Sequence, residues 1–158
     1  MQVMSCLTIA LMCARFAASW ASGQNLLDLT PHPILITTPE LDQPGPIIRY
    51  ASTPFLKMSG YSWDELVGST PRILQGPWTD TRELARMKAA LLAKDTFEGE
   101  VINYRKTGEA YLQTWAVVPI NAENGVTTGW LAVQHDLTAA IQNHVRLDQE
   151  TSGLTPPS

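Results

Sequence analysis

The stretch Gly60-Tyr61-Ser62-Trp63-Asp64-Glu65-Leu66-Val67-Gly68, continuing as Ser69-Thr70-Pro71-Arg72-Ile73-Leu74-Gln75-Gly76, decides the fold. Pro54, Gly60, Gly68, Pro71 and Gly76 break residues 51–76 into short helical pieces. Asp80 and Glu83 then form a capping pair for a longer helix reaching about Leu92. Leu84, Met87 and Leu91 lie on one stripe of that helix.

The flanking segments read as strands. Pro33 to Thr38 is a short apolar run bounded by prolines, and Ile47 to Tyr50 follows after a turn over residues 39–46. These two make an opening hairpin. Thr96 to Lys106 and Glu109 to Asn121 flank Thr107-Gly108, a hairpin turn by composition. Gly125 to His135 is a third long strand. Two strands, several short helices, one longer helix and three strands make an α+β fold, an antiparallel sheet with helices gathered on one face.

Composition limits the function. Hydrophobic content of 44% argues for a folded core, and 158 residues suit one domain. A net charge of −4 and a pI near 5.3, with no Lys/Arg run, give no footprint for nucleic acid. The two cysteines, Cys6 and Cys13, form neither a CxxC pair nor a zinc cluster, and reduced structural thiols fit a cytoplasmic protein. Val3 to Ala14 is apolar but too short to span a bilayer, and no Lys or Arg precedes it. We read residues 1–32 as a helical cap or flexible extension, 33–138 as the domain, and 139–158 as a flanking polar helix with a disordered tail.

Strand alternation places side chains on faces. Val101 goes with Asn103; Tyr111 goes with Gln113 and Trp115; Trp130 goes with Ala132 and Gln134. If these faces look toward the helices, three amides enter one partly apolar interior. Buried amides need partners, since an unsatisfied one costs about 1–3 kcal/mol. They can satisfy one another, bind water, or grip a heteroaromatic ligand.

The Gly60–Gly76 stretch and these amides resemble the PAS sensor domains, and within them the flavin-binding light-oxygen-voltage (LOV) branch. The resemblance covers residues 33–138 and implies a five-stranded antiparallel sheet with short helices on one face. In that branch the second half of the stretch usually reads Gly-Arg-Asn-Cys-Arg-Phe-Leu-Gln-Gly. Pro71 here stands in the place of the photoreactive cysteine, and Thr70 in that of the asparagine before it. The resemblance implies flavin contacts, with FMN as the cofactor, from Thr70, Arg72, Gln75, Lys88, Asn103, Gln113, Trp115, Trp130 and Gln134. Asn103 and Gln113 would hold the ring, and Gln134 would contact its reactive edge. Gln75 would touch ring or ribityl chain, and Arg72 and Lys88 would meet the phosphate. For Arg72 a salt bridge to a nearby acidic side chain is an equal alternative.

Other constellations are bland. No Gly-x-Ser-x-Gly elbow occurs. His32, His135 and His144 read as surface or structural residues, with His135 facing away from the amides. Asp64 and Glu65 read as surface groups of a helical turn. Two expectations follow. One is a non-enzymatic sensory module that binds a flavin and responds to light or redox state without a cysteinyl adduct. The other is a ligand-free interaction module whose interior is filled by Trp115 and Trp130, with Ala132 adding bulk. Either would dimerise through terminal helices or the sheet face, or signal to a partner in trans; no membrane or nucleic-acid partner is expected.

Overall fold

The computed structural model describes residues 4–17, 27–138 and 141. Its elements are α1 (Cys6–Ala17), β1 (Ile34–Thr37), β2 (Ile48–Ala51), α2 (Thr53–Ser59), α3 (Trp63–Leu66), a 3-10 turn (Pro71–Leu74), α4 (Thr81–Leu92), β3 (Phe97–Tyr104), β4 (Ala110–Asn121) and β5 (Thr127–Asp136). The strands form one antiparallel sheet in the order β2-β1-β5-β4-β3. The α+β architecture and the opening hairpin are as the sequence implies. The expected flanking helix and tail over 139–158 lie outside the described residues, Ile141 excepted, as does His144.

Both faces of the sheet are covered, which is why its central strands read as nearly continuous apolar runs. On the outer face Ile34, Ile36, Ala116, Val118, Leu131 and Val133 pack beneath α1, which contributes Cys6, Ile9 and Ala10. The other face meets the short helices in two clusters. Leu35 and Ile48 pack with Phe55, Leu66 and Leu74. Val101, Trp115, Val117 and Trp130 pack with Phe97 and with Leu91 of α4.

The caps follow local rules with one exchange. Asp80 caps α4 by accepting from the Arg82 N–H, but Glu83 does not complete a box. Its carboxylate is held instead by Arg86 at 2.8 and 2.9 Å. The full capping box is at α3. Ser62 accepts from the Glu65 N–H at 3.2 Å, and the Glu65 carboxylate accepts from the Ser62 N–H at 2.8 Å. Glu65 also pairs with Lys106, so this surface acid joins α3 to the β3–β4 turn. Gly76, which closes the opening stretch, has no room for a side chain, because a Cβ there would lie 2.3 Å from the Tyr104 ring.

Candidate functional site: a cavity with buried amides

Between the inner face of the sheet and the short helices lies a cavity of about 260 Å³. It falls just short of the roughly 300–1,000 Å³ usual for small-molecule pockets. The alternation reading places its floor correctly: Val101, Asn103, Gln113, Trp115, Trp130, Ala132 and Gln134 all face it. Leu84, Met87, Lys88 and Leu91 of α4 form one wall, and Pro71, Arg72, Leu74 and Gln75 another.

Register brings the amides together. Gln113 pairs with Val101, which puts Asn103 two residues along the same face. Trp115 pairs with Gln134 across the β4–β5 ladder. Asn103, Gln113 and Gln134 are only 6%, 1% and 5% exposed. The side-chain carbonyls of Gln113 and Gln134 have no hydrogen-bond partner among the described residues. Buried carbonyls are seldom left so, and these two can accept from a donor that enters the cavity, water included. The buried Tyr111 hydroxyl sits at the same end, with the Asn103 amide beside it but outside hydrogen-bond geometry. Burial pushes that phenol up to about 12.

Trp115 and Trp130 are buried in the wall and leave the cavity of about 260 Å³ beside them. Trp115 tilts against Phe97 with ring centroids 4.7 Å apart. Trp130 is drawn to the rim, where its indole N–H donates to the Pro39 carbonyl at 3.0 Å. Aromatic bulk pinned to a wall leaves the space in front of it open.

Of the nine residues the resemblance singled out, eight line the cavity, and Thr70 does not. Its hydroxyl caps the 3-10 turn by accepting from the Arg72 N–H at 3.3 Å. Gln75, Arg72 and Lys88 lie at the mouth. Among the described residues Arg72 makes no acid pair; its Nη1 donates to the Gly45 carbonyl at 2.6 Å and its Nη2 to that of Leu41 at 3.2 Å. Lys88 pairs with Asp42 at 2.6 Å.

Sequence reasoning missed an ion pair at the far end of the same face. Arg105 Nη2 meets Asp136 at 2.5 Å, its Nη1 donates to the Met58 carbonyl at 2.6 Å, and its guanidinium lies 4.4 Å over the Tyr111 ring. Burial would raise the Asp136 carboxyl, but hydrogen bonds from Arg105 and Thr138 outweigh it and hold it below the ordinary range. The signal that could have found it is period-two alternation, which carries the face of Asn103 on to Arg105 and that of Gln134 on to Asp136.

Among the described residues no thiol borders the cavity. Cys6 and Cys13 lie across the sheet with α1. Cys6 Sγ is 3.4 Å from His135 Nδ1, and His32 packs beside His135 with centroids 5.6 Å apart. His135 therefore faces away from the amides, as alternation requires. Burial, with help from Glu98, pushes the Cys6 thiol up to about 11.

Residues 31–139 match the PAS domain family. The chain belongs to that family. It is 36% identical over 129 residues to a blue-light-activated histidine kinase of Brucella anthropi, a match covering 82% of this chain and 26% of the kinase. The chain thus spans about a quarter of the length of the curated relatives it matches. In structure it resembles a light-oxygen-voltage domain from work on a flavin analogue and that domain's mechanism. The TM-score is 0.67 at 25% identity, covering 81% of this chain and 93% of that one. It also resembles the LOV domain of a blue-light-activated histidine kinase from Erythrobacter litoralis, with a TM-score of 0.63 at 26% identity, covering 68% and 97%. This PAS chain is therefore a sensory module of LOV-like architecture. No described helix is long and apolar enough to cross a membrane.

Proposed function

We propose that this PAS module binds a flavin non-covalently and reports light or redox state without forming a bond to it. The observation that carries the reading is the pair of unpartnered carbonyls, Gln113 and Gln134, beside Asn103 in one buried cavity. The pyrimidine edge of an isoalloxazine alternates donors with acceptors, and primary amides answer both. A purely structural network would have closed on itself.

When bound, the flavin supplies blue-light absorption and reversible reduction. The rest belongs to the chain's own side chains. Asn103 and Gln113 would hold the ring edge, Trp115 and Trp130 would wall the ring, and Gln75 would meet the tail at the mouth. Gln134 can present either its oxygen or its NH₂, so it can follow a proton gained or lost by its partner. Its neighbour His135 points to the other face, where it touches Cys6 of α1. A turn of Gln134 in the cavity would act on the strand that seats the N-terminal helix. Pro71 lines the cavity but offers no nucleophile, and both cysteines lie beyond the sheet. The module is a sensor rather than an enzyme. Its output passes to a kinase region like those of its relatives, to a partner in trans, or to a second copy through the terminal helices or sheet face.

Titration of riboflavin and FMN with the protein tests the reading by quenching of ligand fluorescence. Saturable quenching by the wild type, weakened in Gln113→Leu and Gln134→Leu, is expected. Absence of quenching by the wild type would overturn it.

A further inference from the structure

The segment between β1 and β2, residues 38–47, lies across the mouth of the cavity, and its Leu41 and Pro46 form part of the wall. The loop is shaped from within. The Gly45 N–H donates to the Asp42 carbonyl at 2.8 Å, and the Thr38 N–H to that of Ile47 at 2.9 Å. The Ile47 N–H returns a bond to the Thr38 hydroxyl at 2.9 Å. Gly45 turns so tightly that a Cβ would sit 2.5 Å from the Glu40 carbonyl oxygen. Three side chains of the cavity wall then hold the loop down: Trp130 at Pro39, Arg72 at Gly45 and Leu41, and Lys88 at Asp42.

We propose that this closed loop makes the cavity a site for an isoalloxazine with an uncharged hydroxylated tail, of the riboflavin class, in preference to one ending in phosphate. The inference rests on the flavin reading above and goes further, to the ligand's tail. A phosphate needs convergent donors and unspent positive charge. The two cations at this mouth are already committed. Arg72 ties one N–H of each terminal nitrogen to a loop carbonyl, which fixes the plane of its fork toward the loop and leaves fewer donors free to converge on a phosphate. The charge of Lys88 is matched by Asp42, whose carboxyl is held below its ordinary range by the Lys88 hydrogen bond and charge, and more weakly by Arg72. A dianion arriving there meets two cations and one carboxylate, Arg72, Lys88 and Asp42, a net of a single positive charge. An uncharged tail asks only for neutral hydrogen bonds, which Gln75 at the mouth can give.

The test compares dissociation constants for riboflavin and FMN at one fixed ionic strength, in the wild type and in Asp42→Asn. Asp42 is 86% exposed in its side chain, and Asp42→Asn keeps the backbone carbonyl that accepts from Gly45, so any loosening of the loop itself would shift both ligands alike. Riboflavin is expected to bind the wild type at least as tightly as FMN. Freeing Lys88 from an exposed ion pair should raise FMN affinity about two- to fivefold while riboflavin changes less than about twofold. Tighter binding of FMN than riboflavin by the wild type, or equal responses of both ligands to Asp42→Asn, would overturn this inference and leave the flavin reading standing. Binding of neither ligand would overturn both.

Discussion

The indole N–H of Trp130 donates to the carbonyl of Pro39 at 3.0 Å, tying the third long strand to the loop that covers the cavity. A residue large enough to fill the interior serves instead as an anchor at its edge. Trp130→Phe keeps a ring on the wall but removes the donor. The Pro39 end of the loop should loosen, at a cost of about 0.5–1.5 kcal/mol. Hydrogen exchange at Thr38, Gly45 and Ile47 should quicken in that variant while the β4–β5 ladder keeps its protection. Unchanged exchange at those three amides would show that the indole bond does not hold the loop.

Gln134→Leu and Gln113→Leu separate binding from folding. Each replaces an unpartnered buried carbonyl by an apolar group of similar size, removing a desolvation penalty of about 1–3 kcal/mol. The ligand-free protein should melt at an equal or higher temperature. Flavin binding should weaken, by roughly two- to tenfold per lost hydrogen bond. Calorimetric melting and fluorescence titration on the same preparations check both halves. A variant that melts lower and binds unchanged contradicts the assignment.

Asp136 gives a pH dependence with a fixed sign. Its folded carboxyl lies below the unfolded value of about 3.9, so the Arg105 pair contributes fully above that pH and is lost as pH falls through the lower folded value. Asp136→Asn should cost about 1–3 kcal/mol at neutral pH, since it leaves a mostly buried guanidinium with only the exposed Glu109 carboxylate, 3.4 Å away, as its anion. Below about pH 4 the wild type should lose stability more steeply than the variant. Parallel urea melts at pH 7 and pH 3 measure the difference, and equal slopes would contradict the pairing.

Cys6 reports on the seating of α1. With its thiol pushed up to about 11, only about one molecule in a thousand carries the thiolate at pH 8. Alkylation in the native state should be far slower than for a free thiol. Ile9→Asp places a charge under α1 and should accelerate it. Mass spectrometry of timed alkylation reads this out, and rapid labelling of wild-type Cys6 would contradict a docked helix.

The sheet and the floor of the cavity were legible because strands alternate with period two. Asn103, Gln113 and Gln134 could be set on one face without knowing any distance. What lay beyond the sequence was direction. Trp130 announces its volume but not that its N–H reaches Pro39, and that choice decides whether the interior is filled or open. Arg72 finds carbonyls 27 and 31 positions away, and no local pattern says which carbonyl a guanidinium will meet. Lys88 and Asp42 are 46 positions apart and meet only because the loop folds over α4. The Ser62/Glu65 box was readable as Ser-x-x-Glu, yet Glu65 looked like one more surface acid. At Asp80 and Glu83 the same pattern closed only halfway, because Arg86 one turn on competes for the acid.

Flavin binding without a covalent bond is tested most directly by the absorption spectrum of the protein after reconstitution with flavin and desalting, recorded in the dark and after blue light, with the intact mass of the illuminated sample. A structured blue band that survives desalting is expected, with a protein mass unchanged by illumination under denaturing conditions. A colourless protein after reconstitution would contradict flavin binding, and an illuminated mass increased by one flavin would contradict a photochemistry without a covalent bond.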